Sequence, residues 1–532
     1  MSLLKRILTI DVCLLTVALA CGTTPNWQHL VADTLGIDEH VSFWIADNSS
    51  PSTLLDRSFQ YAATPPLSFL LQRLSLEIFG REPWALRVPA AASYLASIVL
   101  VWWLGRSWLT PLAGGIASVL FATHAAVLDF AAAGRPYSLG WLLSLWAMQS
   151  TRRLREMPGR PLNWLWWTLA NLALVQTHYL FAGLWAAEFL WLVLGTQPPR
   201  LSVRLILAAG AILSGCVLSA VPGLLRVWEH RAYLNWTTRV PEPADLLALT
   251  LPIQWGWFRQ PVWCGVMLLP IVWQLAARRF RPRDWFDVER WRAVRGTLPL
   301  LIVWFAVPMA GIWIAGRWWL PSLAAARYMA IYTVGFVLLL GGILSLLRGN
   351  VAPAIAAAAL LLLQGFVPRF VQPPRWVETP AASEWHKIAG EVSDLGDDVR
   401  LVLVGSGLTE MWLVPAYADD PVFHDYVSCR LGRIYLGNDP SRLALPMRWT
   451  DKMPGFYRRQ IAQACRPGNA AGADAPRHRD ANVCVAVATD TDLLRESARR
   501  MMDVFADAGF IERHRVLLPN STLVVFSCST DE

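Results

Sequence analysis

An adjacent acid pair, Asp38 and Glu39, lies in GIDEHVSFW (36–44), a stretch that reads as a polar loop following the first apolar segment. A carboxylate at a membrane face can take the proton of an attacking hydroxyl, the general-base half of a displacement at a sugar carbon. Two acids in a loop are more often simply solvated, so the reading depends on what accompanies them. Arg135 in AAAGRPYSLG and Arg327 in AAARYMAIY stand at the ends of apolar segments, where a guanidinium is costly unless it meets water, an acid or a phosphate. Each alone would be an ordinary snorkelling arginine. Two at one interface could grip phosphate oxygens with their planar forks. His178 closes an apolar segment in VQTHYLFAG and, taken alone, is a structural histidine. Asp129 is placed to neutralise Arg135 or to bind interfacial water.

The elements that must position these groups are membrane helices. The 532 residues are 55% hydrophobic and 16% charged, with 29 Trp and a positive mean hydropathy, which excludes disorder and disfavours an ordinary soluble enzyme. A spanning helix needs roughly 20 mostly apolar residues, and about eleven such stretches precede Phe370. The net charge of +8 is unevenly placed: residues 1–370 carry 29 Lys or Arg against 17 acids, and 371–532 carry 18 against 22. The excess is a membrane-topology signal, with no clustered cations and interleaved aromatics of the kind that bind nucleic acid.

The first segment, MSLLKRILTIDVCLLTVALACG, has the basic start and apolar core of a signal peptide but contains Asp11 and lacks a small-x-small cleavage site. It reads as an uncleaved anchor with its N-terminus inside. The first outer loop then covers 23–84, where Leu67, Leu70, Leu71, Leu74 and Ile78 after Pro65-Pro66 predict an amphipathic helix lying in the interface. Spans are expected at 85–105, 112–130, 137–150, 162–178, 180–195, 205–225, 260–277, 297–315, 329–347 and 351–367. Alternating sides puts the basic links 151–160 and 277–296 in the cytoplasm, as the positive-inside rule requires. The same count places all the candidate site residues, and the tail, outside.

Residues 1–370 therefore form a transmembrane domain and 371–532 a small extracytoplasmic α/β domain. In the tail, 399–405, 483–488, 513–518 and 522–528 read as strands, and 446–464 and 491–508 as helices. Cys13, Cys21, Cys216 and Cys264 lie in or beside apolar segments as small hydrophobes. Cys429, Cys465, Cys484 and Cys528 lie in the tail, where two disulfides are possible with three pairings open. None of the eight has metal-ligand spacing.

Taken in order, the motifs resemble those of GT-C glycosyltransferases, the superfamily that contains protein O-mannosyltransferases and the aminoarabinose transferases of lipid A. GIDEHVSFWIA is similar to their Asp-Glu first-loop motif, TPPLSFLLQRLSLEIFGREPWALRVPAA to "HPPLYYLLL...FG...ALRLPSA", AAAGRPYSL to "EARMYAL", QTHYLFAG to "YTHYFG" and AARYMAIY to "PRYLLP". The chain departs from the pattern at Thr64, where His is usual, and at Ala133 and Gly134, where an acid precedes the arginine.

The resemblance implies a polytopic GT-C fold and an inverting transfer of a sugar from a polyprenyl-phosphate donor to a glycan, lipid or protein acceptor outside the cytoplasm. Asp38 would be the base and Glu39 its support. Arg135, Tyr137, His178, Arg327 and Tyr328 would bind the donor phosphate and substrate. No cofactor would be required, and metal dependence is left open. The expected location is a bacterial inner membrane, with membrane lipids as the other partner. The rivals are a polymerase or ligase using lipid-diphosphate glycans and a lipid-sugar flippase; the flippase would place acids and broken helices at mid-membrane.

Overall fold

The computed structural model describes residues 10–32, 35–47, 50–194, 202–229, 294–324, 330–346, 380–395, 399–405, 420–430, 433–436, 443–447, 482–488, 510–518 and 521–528, together with a few isolated positions. By internal packing the chain forms two units. One comprises Met1–Ala32 and Asn48–Pro373, the other Asp33–Asp47 and Pro374–Glu532. The segment carrying Asp38 and Glu39 thus packs with the C-terminal residues, although it precedes nearly all of the helical unit in sequence.

The helical unit is built on α1 (Ile10–Leu30), α3 (Pro51–Asp56), α4 (Leu67–Phe79), α5 (Pro83–Trp108), α6 (Pro111–Thr123), α7 (Tyr137–Glu156), α8 (Pro161–Thr177), α9 (Gly183–Leu194), α10 (Val203–Glu229), α11 (Leu298–Trp318) and α12 (Ala330–Ser345). Among the described residues, α5, α10 and α11 are long and apolar enough to cross a membrane by length and composition, and shorter apolar helices cover 111–123, 179–193 and 331–345. The protein is an integral membrane protein. The spans expected at 260–277 and 351–367 lie outside the described residues.

Helix α6 is central, with every residue from Ala113 to Thr123 buried. Pro111 opens it at a position where no amide is needed, and the Thr110 hydroxyl caps it by accepting from the Ala113 amide at 3.0 Å. Its small residues admit the neighbouring backbones. A Cβ on Gly105 would lie 2.7 Å from Gly114 Cα, one on Gly114 2.4 Å from the Trp102 carbonyl, and one on Gly341 2.8 Å from the Ala113 carbonyl. Such contacts are the main source of helix association in lipid, where burial of apolar surface supplies little drive.

Several polar positions in the sequence become intelligible in this unit. Asp11, the acid inside the first apolar run, is buried and pairs with Arg106 near the end of α5. Arg87, fully buried in the ALRVP stretch, donates to the His29 and Ala32 carbonyls (3.0 and 2.5 Å) and so satisfies the end of α1. The first helix runs well past residue 22, because the Thr23 and Thr24 hydroxyls bond back to the Leu19 and Ala20 carbonyls around Pro25. The expected loop 23–84 therefore begins helically. Helix α4 forms as expected, with Ser68, Phe69, Gln72, Ser75 and Leu76 buried while Leu70, Leu74 and Ile78 face outward. Gly80 ends it at φ +96°, a conformation that favours glycine. The span expected at 112–130 is interrupted at His124, whose backbone is extended.

Glu188 of α9 ties three helices together. Its Oε2 accepts from the Thr151 hydroxyl of α7 (2.9 Å) and from the Trp167 indole (2.7 Å) and Asn171 amide (3.0 Å) of α8, and all four residues are fully buried. Polar groups in an apolar interior must find such partners.

The second unit holds α2 (Ile37–Ala46), α13 (Pro380–Asp394), α14 (Pro421–Arg430) and a five-stranded sheet of β1 (Val399–Gly405), β2 (Leu443–Met447), β3 (Asn482–Ala488), β4 (Phe510–Leu517) and β5 (Ser521–Cys528). The order is β2-β1-β3-β5-β4. The β1 strand is parallel to β2 and β3, whereas β3–β5 and β5–β4 are antiparallel. The strands at 399–405, 483–488, 513–518 and 522–528 are found, the third starting earlier, at Phe510. The helical pattern assigned from 446 begins inside a strand instead: LALPM is an edge strand, where Pro446 is tolerated because one side of the strand has no ladder to complete. Residues 448–464 lie outside the described residues, as does most of the helix expected at 491–508. Cys429 is a thiol, donating to the His40 carbonyl at 3.5 Å. Two bridges using all four tail cysteines are therefore not formed.

Replacing Glu188 with Ala removes the acceptor that three buried donors share across helices, leaving Thr151 and Asn171 only the Ala147 and Trp167 carbonyls and Trp167 only the Thr151 hydroxyl. At ~0.6 kcal/mol per interhelical hydrogen bond in a membrane protein, the loss is about 2 kcal/mol. Thermal unfolding in detergent should show a Tm several degrees lower for Glu188→Ala and a smaller drop for Glu188→Gln, which retains an acceptor oxygen. An unchanged Tm for the alanine variant would show that the network does not join the helices.

Candidate active site

The first candidate group belongs to the second unit. The acid pair is not in a loop; it opens a helix. In α2 the Glu39 carboxylate accepts from the Gly36 amide at 2.9 Å, half of a capping box, and Glu39 is fully buried. Val41, Phe43, Trp44 and Ile45 are buried beyond it, which is why a segment of polar composition folds as a helix. The Trp44 indole donates to the Asp425 carboxylate (2.6 Å) and its ring packs on Tyr426, centroids 5.2 Å apart. The Tyr435 hydroxyl accepts from the Leu35 amide (2.6 Å), and its ring meets His40 edge-on at 5.5 Å. These contacts fix both ends of the first turn. Asp38, on that turn, remains half-buried.

The second group belongs to the helical unit. His178 is the extended residue between α8 and the 3-10 turn Tyr179–Ala182. Its Nδ1 accepts from the Leu180 amide at 3.3 Å. Its ring lies 5.8 Å from that of Tyr137 and 5.8 Å from that of Tyr328, and Phe181 approaches edge-on at 6.4 Å. Tyr137 in turn packs on Phe130 at 5.1 Å. His178, Tyr137 and Tyr328 are candidates from three separate motifs, and the fold brings their rings together.

Arg135, half-buried, lies two residues before Tyr137 on the turn that enters α7. Ser138 holds that turn, its hydroxyl reaching the Ala131 carbonyl at 2.7 Å and the Phe130 carbonyl at 3.2 Å. Pro136 stands at the N-cap with its φ already near helical. Arg327 lies outside the described residues, although Tyr328 beside it in sequence is among them. Thr64, the departure from the usual His, has its carbonyl bound by the Ser58 hydroxyl at 2.5 Å and its own hydroxyl bound to the Ala62 carbonyl at 2.9 Å.

Two glycines that sequence reasoning passed over set the position of His178. A Cβ on Gly140 would fall 2.1 Å from the Phe181 ring, and one on Gly223 would fall 1.6 Å from the Tyr179 hydroxyl. Both make room for side chains of the turn that follows His178. Their available signal was slight: Gly140 stands in the first turn of a helix, where a glycine costs stability unless space demands it. Among the described residues no cluster of three or more His, Cys, Asp or Glu is arranged to hold a metal ion.

ArnT from Cupriavidus metallidurans has a similar fold, both in its apo state (13% identity, 96% of this chain and 97% of that one, TM-score 0.53) and bound to undecaprenyl phosphate (13% identity, 98% of each chain, TM-score 0.53). Residues 63–222 match the family model of dolichyl-phosphate-mannose-protein mannosyltransferases, and this region contains Arg135, Tyr137 and His178. The resemblance read from the motifs thus has support from both sequence and fold. No curated protein sequence matches the chain.

A methyl group at position 140 must displace Phe181 and with it the turn attached to His178. Gly140→Ala should therefore lower turnover of the sugar transfer proposed below at least ten-fold. Gly215→Ala, where a Cβ meets nothing within 4 Å, should leave it unchanged. Equal activity in the two variants would remove Gly140 from any role in setting the site.

Proposed function

We propose that the protein is an inverting glycosyltransferase that moves a sugar from a polyprenyl-phosphate donor to an acceptor outside the cytoplasm. The observation that carries this reading is the His178-centred ring cluster, with Arg135 two residues before Tyr137 in the chain, lying largely within the stretch that matches the mannosyltransferase family model. Its fold partner ArnT has been seen with undecaprenyl phosphate bound, which supports a polyprenyl phosphate as the lipid carrier.

In the proposed reaction the acceptor hydroxyl attacks the anomeric carbon and gives its proton to Asp38. The new oxygen–carbon bond forms as the bond to the phosphate oxygen breaks, and the lipid monophosphate leaves. Asp38 suits the base because its carboxylate stays partly accessible, whereas that of Glu39 is buried as a helix cap. Glu39 is assigned the supporting role of fixing the turn on which Asp38 sits. Arg135 and Arg327 stabilise the charge that accumulates on the departing phosphate. The aromatic rings of Tyr137, His178 and Tyr328 bind the donor near that phosphate. No cofactor enters this scheme. The protein resides in a bacterial inner membrane, with the N-terminus cytoplasmic and the C-terminal unit extracytoplasmic.

Asp38→Asn removes the proton acceptor but keeps the side-chain volume. In membranes supplied with lipid-linked sugar it should reduce turnover about 100-fold or more, the usual contribution of general-base catalysis. Normal turnover would reject Asp38 as the base. Analysis of the lipid product belongs to the same assay: a monophosphate supports this reaction, and a diphosphate points to a polymerase or ligase. Arg135→Gln should raise the donor KM while leaving the acceptor KM unchanged, and the reverse pattern would reject a role in holding phosphate.

A further inference from the structure

The helical unit carries a cavity, away from the ring cluster, that the proposed transfer reaction does not use. It measures about 220 Å³ and lies between α7 and α8, lined by Trp146, Gln149, Ser150 and Arg153 of the first and Asn163 and Trp166 of the second. At 1.5 Å per residue, Gln149–Arg153 lie about 18–24 Å along α7 from Tyr137. The cavity is therefore at the other end of the helix from the ring cluster, beside the link TRRLREMPGR with its four arginines and one acid.

We propose that this cavity binds the headgroup of an anionic phospholipid. Its lining has one cation and no acid. The arginines on either side of Arg153 are engaged elsewhere: Arg152 pairs with Glu156 at 2.8 Å and stacks over Trp108, and buried Arg155 donates to the Trp191 carbonyl at 2.5 Å. Arg153 is exposed at the mouth of the cavity. Gln149 accepts from the Trp108 indole through its Oε1 (3.0 Å), so its amide nitrogen is the group it offers to the cavity. The Asn163 amide donates to the Arg153 and Met157 carbonyls (3.2 and 2.9 Å), pinning the start of α8 to the end of α7 and fixing the walls. Trp146 and Trp166 pack with centroids 5.9 Å apart, and indoles favour the headgroup level of a bilayer.

What distinguishes a lipid from a free anion is the surface leading away from the cavity. Leu162, Leu165, Trp166 and Leu169 are exposed on α8 at spacings of three, one and three residues, which places them on one helical face. They form an apolar strip that begins at the cavity and runs along the helix. A negative head and a hydrocarbon tail fit this arrangement together, in the manner of basic pockets between membrane helices that take lipid headgroups. An arginine in the last turn of a helix also complements the helix dipole, but that role calls for neither the indole pair nor the strip.

The test is native mass spectrometry of the full chain in detergent, titrated separately with phosphatidylglycerol, phosphatidylcholine and inorganic phosphate. Phosphatidylglycerol should occupy one site in preference to phosphatidylcholine, and Arg153→Gln should weaken that binding about five-fold, the effect of one interfacial cation. Arg160→Gln, which removes an exposed arginine of the same link outside the cavity, should leave it unchanged. Equal weakening by the two variants would mean diffuse surface attraction and overturn the site. Equal binding of phosphatidylcholine would overturn the anionic headgroup, and displacement of the lipid by millimolar inorganic phosphate would overturn the lipid as occupant.

Discussion

Close approach of helix backbones is the condition on which the helical unit depends. Lipid is as apolar as leucine, so helices there gain little by hiding hydrophobic side chains from their surroundings and must gain it from contact. Gly105, Gly114 and Gly341 place main-chain atoms against main-chain atoms around α6, at distances a methyl group would prevent. The arrangement of α5 and α12 around that short helix follows from these contacts, and that of α1 from Gly115, where a Cβ would lie 2.8 Å from Leu14. The buried ionic and polar links, Asp11 with Arg106 and Glu188 with Thr151, Trp167 and Asn171, then restrict which helix ends lie side by side.

The same economy of space shapes the candidate site. Gly140 and Gly223 are the positions at which α7 and α10 admit Phe181 and Tyr179, and those two side chains flank the turn that presents His178. Farther along, Glu188 joins the helices whose other ends carry Tyr137 and His178. The ring cluster is thus held from two directions, by absence of side chain next to the turn and by hydrogen bonds within the bundle. A rigid frame of this kind suits the phosphate-holding role proposed for this cluster. In the second unit, Trp44, Tyr426 and Tyr435 play the corresponding part for the first turn of α2.

Much of this was legible in the residues. Hydrophobic run length and charge placement defined a membrane protein with a polar tail, because the cost of burying charge and the length of a span leave marks in composition. The motifs around Asp38, Arg135, His178 and Arg327 carried the GT-C resemblance, and the strands at 399–405, 483–488 and 522–528 announced themselves by β-branched runs. The edge strand at 443–447 did not, because five residues containing a proline have no distinct period. The helical character of 37–46 was hidden for a related reason. Its acids suggested solvent, yet one of them is the cap that starts the helix.

The sequence by itself determined the class of the protein and the order of its candidate groups, since span length, charge asymmetry and short motifs are local properties. Tertiary structure alone decided which of those groups meet and which residues hold them. Tyr137, His178 and Tyr328 are separated by 41 and 150 positions in the chain, and only the crossing of helices makes their rings neighbours. It also distinguished the two acids, burying Glu39 as the acceptor for an amide at the start of the helix and leaving Asp38 half-buried, because a helix start needs such an acceptor and one carboxylate fills that place.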